Sequence, residues 1–324
     1  MKRLLLPASI LLISSGQLAL ADTSFYGKAN VSFQNTELES KTPQTEQWEL
    51  NSNASRLGIK GSTNVDDTAL TVIYQAEFEI AIDDGDNKGQ TFKQRNIFVG
   101  LQGDFGTVMA GNFDTATKLL GKEVDQFNDL VLGDVKNILE GENRVKNIVQ
   151  YSSPTLLGGL SFTAAVVPGE NLAAKEDNVA DGNVFSVQYQ ADSFLVAVAH
   201  DTDIDGYDTT RAIASTSIAQ LDLGAMLQTA ESAGVTNTQQ EDSALVSAAF
   251  KATDKWVVKA QYGVATTETS TLADQELTQT ALGVDYLMSS ALTLFAYGAQ
   301  VDNDTDGAVN TTDSTFGAGV WFKF

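Results

Sequence analysis

The sequence predicts an all-β chain, a sixteen-stranded antiparallel barrel that crosses a membrane, and three observations predict it. Apolar residues recur at every second position in run after run, the signature of strands with one dry and one wet face. The connections between runs alternate between short and long. And although hydrophobic residues make up 43% of the 324, no second stretch of about 18 apolar residues follows the N-terminal one, so no membrane helix accompanies the strands.

The first residues read as an export signal. Lys2 and Arg3 precede an apolar run from Leu4 to Ile13, and Ala19-Leu20-Ala21 supplies the small-x-small pattern of a cleavage site. Residues 1–21 are therefore expected to be removed, leaving a single domain over 22–324. Without Lys2 and Arg3 the chain holds 18 basic residues against 42 acidic ones, a net charge of −24. Such a surface repels nucleic acid, which binds through Lys and Arg at phosphates. The absence of cysteine excludes disulfide scaffolds and thiolate chemistry. A single histidine, His200, leaves little material for acid–base catalysis or for a metal centre, so neither an enzyme nor a cofactor is expected.

The strands follow in order. Segment 24–35 alternates Phe25, Gly27, Ala29, Val31 and Phe33 with Tyr26, Lys28, Asn30 and Ser32; segment 45–61 ends with Arg56 on its wet face. Segment 67–82 sets Leu70, Val72, Tyr74, Ala76, Phe78 and Ile80 against Gln75, Glu77 and Glu79. Segments 91–103 and 105–113 share the short turn Gly103-Asp104-Phe105, with Asn96 to Leu101 ambiguous between faces, so Arg95 has no assigned side. Segment 144–152 places Arg144 with Lys146 and Gln150 on the wet face. Then come 158–167, 181–192 with Phe185, Val187 and Tyr189, 193–201, 207–218, 220–230, and 240–251 with Ala244, Val246, Ala248 and Phe250. The series closes with 254–265 (Trp256, Val258, Ala260, Tyr262, with Lys259 opposed), 277–288 (Leu282, Val284, Tyr286), 290–301 and 312–324. Short turns fall at Ala191-Asp192-Ser193, Ala219-Gln220, Ala252-Thr253-Asp254 and Met288-Ser289-Ser290. Long connections fall at 36–44, 83–90, 114–143, 168–180, 231–239, 266–276 and 302–311.

Gathering tight turns at one end and long loops at the other is the layout of an outer-membrane barrel, and a soluble sandwich has no reason to adopt it. A barrel of this strand number keeps water inside. Pairing of 312–324 with the first strand would close the sheet and remove its edges. Alternation then gives Phe316, Val320, Phe322 and Phe324 to lipid, and leaves Trp321 on the water side as a misfit.

The segments "FYGKANVSF", "SNASRLGIKGS", "RNIFVGLQGDFGTVMAGNFDT" and "ENRVKNIVQYSSP", together with a terminal phenylalanine, resemble the general diffusion porins of Gram-negative outer membranes. The resemblance implies a homotrimer of water-filled barrels in outer-membrane lipid and lipopolysaccharide, passing small hydrophilic solutes passively. It also implies a third long loop folded inward, and Phe324 as the label read by the barrel-assembly machinery. The loop 114–143 fits on its own terms, since Leu119, Leu120, Val124, Phe127, Leu130, Val131, Leu132, Ile138 and Leu139 are too apolar for a solvated loop. It would carry Glu123 and the constriction acids Asp125, Asp129 and Asp134 inward, with Glu77 nearby. By motif match Lys28, Arg56, Arg95 and Arg144 form the facing basic wall. The loop lacks the Pro-Glu-Phe-Gly tip of well-known members, so the sequence leaves open which acid lines the narrowest point.

Opposed charges across a narrow pore set up a transverse field that favours polar solutes. The charge of −24 points to weak cation preference. A second pattern, Asp302, Asp304, Asp306 and Asp313, has the oxygen spacing of a calcium loop with Gly307 in place, but strands rather than helices flank it. No aromatic ladder argues for a solute-specific channel. A secreted β-rich adhesin is the reading from another class, and it predicts a soluble protein.

Overall fold

The computed structural model of the protein describes residues 22–85, 89–169, 179–233, 238–270 and 273–324; the predicted signal, residues 1–21, lies outside the described residues. Its strands are β1 (Asp22–Leu38), β2 (Thr45–Ser52), β3 (Arg56–Asn64), β4 (Thr71–Glu79), β5 (Lys93–Gly103), β6 (Gly106–Asp114), β7 (Arg144–Ser152), β8 (Leu160–Val167) and β9 (Gly182–Gln190). They continue with β10 (Phe194–Ile204), β11 (Tyr207–Ile218), β12 (Leu221–Ser232), β13 (Gln239–Lys251), β14 (Trp256–Thr269), β15 (Gln275–Leu287), β16 (Leu292–Thr305) and β17 (Thr311–Lys323). The pairings are antiparallel, and β17 pairs with β1, Lys28 opposite Lys323 through Leu38 opposite Asp313, which closes the sheet. Both β2 and β3 pair with β1, so they are two halves of one wall strand and the barrel has sixteen.

Closure hides the backbone groups of every strand from lipid. It also sorts the side chains: Phe25, Phe33, Val99, Val108, Val198, Leu227, Val246, Leu282 and Phe316 are exposed on the outer face, while Gln34, Ser186, Gln228, Ser247, Gln261 and Gln279 are buried on the inner one. Along the seam this contrast is sharp. Outside, Trp48 stacks on Phe33 at 5.1 Å and meets Phe316 edge-on at 5.5 Å; inside, Thr36 and Thr315 are hydrogen-bonded at 3.1 Å and Tyr297 donates to Gln34 at 3.0 Å. Trp321 stays on the water side as alternation required, and the misfit has a cause. Lys323 and Lys28 lie 4.5 and 6.0 Å from its ring, so the indole serves as a cation–π surface.

Several connections are shorter than the sequence suggests. The strands run on into 231–239, 266–276 and 302–311 with β12–β17, because Thr, Gln and Glu beyond the apolar band keep their backbone pairing although their side chains carry no hydrophobic period. β10 and β11 are joined by Asp205 and Gly206 alone, both at positive φ, 56° and 81°, the backbone that a two-residue hairpin demands. The connection from β6 to β7 remains the exception in length, and it folds into a seven-residue helix and a 3-10 turn.

Candidate functional site

The β6–β7 connection holds α1 (Ala116–Lys122), capped by Thr115, whose hydroxyl accepts from the Lys118 N–H, and a 3-10 turn Val135–Asn137 capped by Asp134. Its apolar residues Leu120, Val124, Phe127, Leu130, Leu132, Val135, Ile138 and Leu139 are buried in one cluster with Met226, Leu245, Ala281, Phe295 and Tyr297 of β12–β16. Leu119, expected with them, is exposed. Room is made by small inner-face residues: a Cβ on Gly224 would lie 2.9 Å from Val124, one on Gly263 2.7 Å from Ile138, and one on Gly283 2.9 Å from Phe127.

The main chain of this segment is satisfied by the wall rather than by itself. Gln228 donates to Glu140 O, Gln261 to Gly133 O, and Gln279 to Leu132 O and Asp134 O, while Ser247 donates to Val124 O. Arg211, fully buried, donates to Glu142 at 2.6 Å, to Thr117 O at 3.0 Å and to Glu140 O at 2.9 Å, so one side chain of β11 ties both ends of the segment. Nothing in the sequence pattern singled it out, because a lone Arg amid Thr and Ala on a strand gives no periodic cue.

On its other side the segment meets charges. Asp129 accepts from Lys28 at 3.3 Å and from Arg56 at 3.2 Å. Burial pushes the Asp129 carboxyl up, but Lys28, Arg56 and Arg95 outweigh it and hold it below the ordinary range. Arg95 donates to Glu77 at 2.7 Å and to Glu79 at 3.0 Å. Two irregularities bring these cations to the inner face. Val31 opposes Ser52 while Lys28 opposes Arg56, so an extra residue, with Ala54 at φ 50°, shifts the phase between β2 and β3. Ala76 opposes Ile97 while Phe78 opposes Gln94, so Arg95 and Asn96 together face Glu77. That bulge is why alternation alone could not seat Arg95.

A third bulge corrects the sequence reading. Gly111 opposes Ile148 while Phe113 opposes Val145, with Asn147 at φ 58°, and Arg144 and Lys146 part company. Arg144 turns to Asp114 at 2.9 Å and to Asn96 at 2.7 Å, whereas Lys146 is exposed and lines a separate depression with Gln94, Val149 and Pro168. The other two loop acids find their partners within the segment. Asp125 accepts from the N–H groups of Phe127 and Val135, and burial with Asp134 close by pushes its carboxyl up to about 8. Asp134 accepts from the Asp129 and Lys136 N–H groups and from the Lys136 ammonium at 3.1 Å. Of the three, Asp129 meets the wall cations; Asp125 and Asp134 shape the segment.

These groups surround a cavity of about 450 Å³ lined by Glu79, Lys93, Arg95, Lys118, Lys122, Asp129, Asp134, Lys136, Glu142 and Arg144 among others. Sequence reasoning missed Lys118, Lys122 and Asp114; the spacing of the two lysines at i and i+4 was the available cue. The calcium pattern does not assemble. Asp302 accepts from Gln300 and Thr312, Asp313 from Ser40, and among the described residues no group of three or more such ligands gathers. Extended strand pairing of Asp302 with Thr312 replaces the compact loop that a calcium site needs. His200 is exposed, its Nδ1 2.9 Å from the Thr210 hydroxyl.

The pattern common to Gram-negative porins matches residues 8–306. The major outer membrane protein P.IB of Neisseria sicca is 31% identical over 175 residues, 50% of this chain and 46% of that one. Its counterpart in Neisseria gonorrhoeae is 30% identical over 193 residues, 56% and 52%. The chain spans about half the length of these curated relatives in the matched regions. Among solved structures, the anion-selective porin of Comamonas acidovorans superposes with a TM-score of 0.74 at 17% identity, covering 94% of this chain and all of that one. The loop-deletion form of OmpT from Vibrio cholerae gives 0.74 at 19%, covering 94% and 99%. At such identities the structures attest the fold, and the sequence pattern attests the kinship. A closed sixteen-stranded barrel with an apolar outer face is matched by this pattern along most of its length: the chain belongs to the Gram-negative porin family.

Proposed function

We propose that the chain forms a water-filled channel for passive diffusion of small hydrophilic solutes and ions, with the segment 114–143 folded into the barrel as its constriction. The observation that carries this reading is Asp129, which reaches from the segment to Lys28 on β1 and Arg56 on β3 while Phe127, two residues away, is buried against Gly283 on β15. A segment held to walls on both sides leaves a restricted charged passage. Lys28, Arg56, Arg95 and Arg144 supply its basic side, and Asp129, with Glu77 behind Arg95, its acidic side; Asp125 and Asp134 hold the loop in shape.

The acidic excess favours weak cation preference through the potential at the external mouth. Assembly as a homotrimer draws support from the neighbours, among them a Vibrio cholerae OmpT described in a trimer form. Removal of residues 1–21, contact with lipopolysaccharide and recognition of Phe324 by the assembly machinery complete the reading. Planar-bilayer recording in a KCl gradient tests it. Stepwise conductance with a reversal potential on the cation side is expected; no conductance would sink the channel, and an anion-directed potential the preference.

A further inference from the structure

The ion pairs around the cavity do not balance. Asp129 faces two cations, and the Glu77, Glu79, Lys93, Arg95 group is neutral. At Asp114 three cations converge on one carboxylate: Lys122 at 2.5 Å, the Arg144 Nη2 at 2.9 Å and Lys118 at 3.8 Å. Another acid of the cavity wall, Glu142, is taken by Arg211 through its carboxylate, and only its main-chain carbonyl meets the Lys118 ammonium, at 2.9 Å. The cluster therefore holds a surplus of two positive charges at 16–29% side-chain exposure, where water screens them poorly. The crowding is felt locally: burial, with Arg144 and Lys122 beside it, pulls the Lys118 ammonium below its ordinary value in spite of Asp114 and Glu142.

We infer that Lys118, Lys122 and Arg144 form a subsite for a small oxyanion dianion, inorganic phosphate or a phosphate monoester. All three side chains line the same 450 Å³ cavity, which has space for such an ion. Arg144 uses Nε on Asn96 and Nη2 on Asp114, and its Nη1 has no partner among the described residues. Each lysine has three ammonium donors and spends one or two. A phosphate with two charges and three acceptor oxygens matches both the surplus and the free donors, and Lys and Arg are the side chains suited to it. The two lysines sit one turn apart on α1, so the loop that was expected to contribute acids contributes cations on this side. The subsite specifies a solute class for the channel and rests on that reading for its meaning, but binding itself does not.

The test therefore has two arms. In the first, line broadening of the phosphorus resonance of inorganic phosphate, and separately of glycerol phosphate, is measured with the detergent-solubilised protein. Broadening is expected for wild type and for the Lys118→Arg/Lys122→Arg variant, and is expected to be lost in Lys118→Gln/Lys122→Gln and, independently, in Arg144→Gln. In the second arm, reversal potentials are recorded with and without millimolar phosphate. A dianion that cancels the surplus should raise the cation-to-anion permeability ratio about two-fold in wild type. It should do so equally in Lys251→Gln, a surface control, and not in the glutamine variants. Broadening without conductance would overturn the channel and keep the subsite. Normal conductance with no broadening, or broadening that persists in folded glutamine variants, would overturn the subsite alone.

Discussion

The ring of Phe324 covers Gly27, and their main chains exchange both hydrogen bonds, Gly27 N–H to Phe324 O at 3.0 Å and Phe324 N–H to Gly27 O at 3.2 Å. A Cβ at Gly27 would overlap the ring, so the first strand is kept bare where the aromatic lies down. Gly27→Val is expected to destabilise the barrel by about 1–3 kcal/mol through overpacking. Adding Phe324→Ala should recover part of the loss. The temperature at which the compact form unfolds on gels measures both; equal losses in the single and double variants would refute the contact.

Arg56 and Asp129 should act on ion selectivity with opposite sign. Arg56→Gln is expected to move the reversal potential toward cations, and Asp129→Asn toward anions, each by a factor of about two in permeability ratio. Shifts of the same sign would place the two residues outside one passage.

Arg211 is fully buried and its charge is matched by Glu142 at 2.6 Å. Removing one partner strands the other, so Arg211→Met is expected to cost about 3–5 kcal/mol, and Arg211→Met with Glu142→Gln distinctly less. Chemical unfolding of the detergent-solubilised protein gives the comparison. Because the same arginine holds Thr117 and Glu140 carbonyls, the single variant should also enlarge the conductance step.

Asp125 gives the loop a pH dependence opposite to that of most paired carboxylates. Its folded value of about 8 lies above its ordinary 3.8, so the folded state binds the proton more tightly than the unfolded one. Stability therefore falls as pH rises from about 4 through about 8 and levels off above that window. In Asp125→Asn this slope should disappear, leaving the variant relatively more stable at pH 8 than at pH 5. Unfolding midpoints across that range, wild type against variant, check the sign; parallel curves would refute it.

Most of the barrel was legible because lipid on one side and water on the other impose a period of two on Phe25–Phe33, Leu70–Ile80 and Trp256–Tyr262. The strand extensions near Thr267 and Asp304 were not, since beyond the apolar band backbone pairing persists with no side-chain period to report it. Within the site, Lys28 and Arg56 were readable from face and motif together. Arg95 was not, because a bulge changes the phase where it sits. The partner choice among Asp125, Asp129 and Asp134 depends on turns at Asp134 and Leu132 that composition does not encode. Arg211 stayed hidden for a simpler reason: it acts on groups far away in the chain, reaching residues 69 to 94 positions distant.

The extra residue near Ala54 and the doubled Arg95-Asn96 make the strand's lipid reading and its water reading slip against each other by one step. Trp48 and Leu50 share the numerical parity of Arg56 yet stand on the other side of the wall. A single-residue deletion between Ser52 and Ser55 would restore one unbroken frame. Either the guanidinium would then be handed to the hydrocarbon or the indole to the aqueous channel. In this barrel, chain length at two points thus decides which side of the wall its charges face.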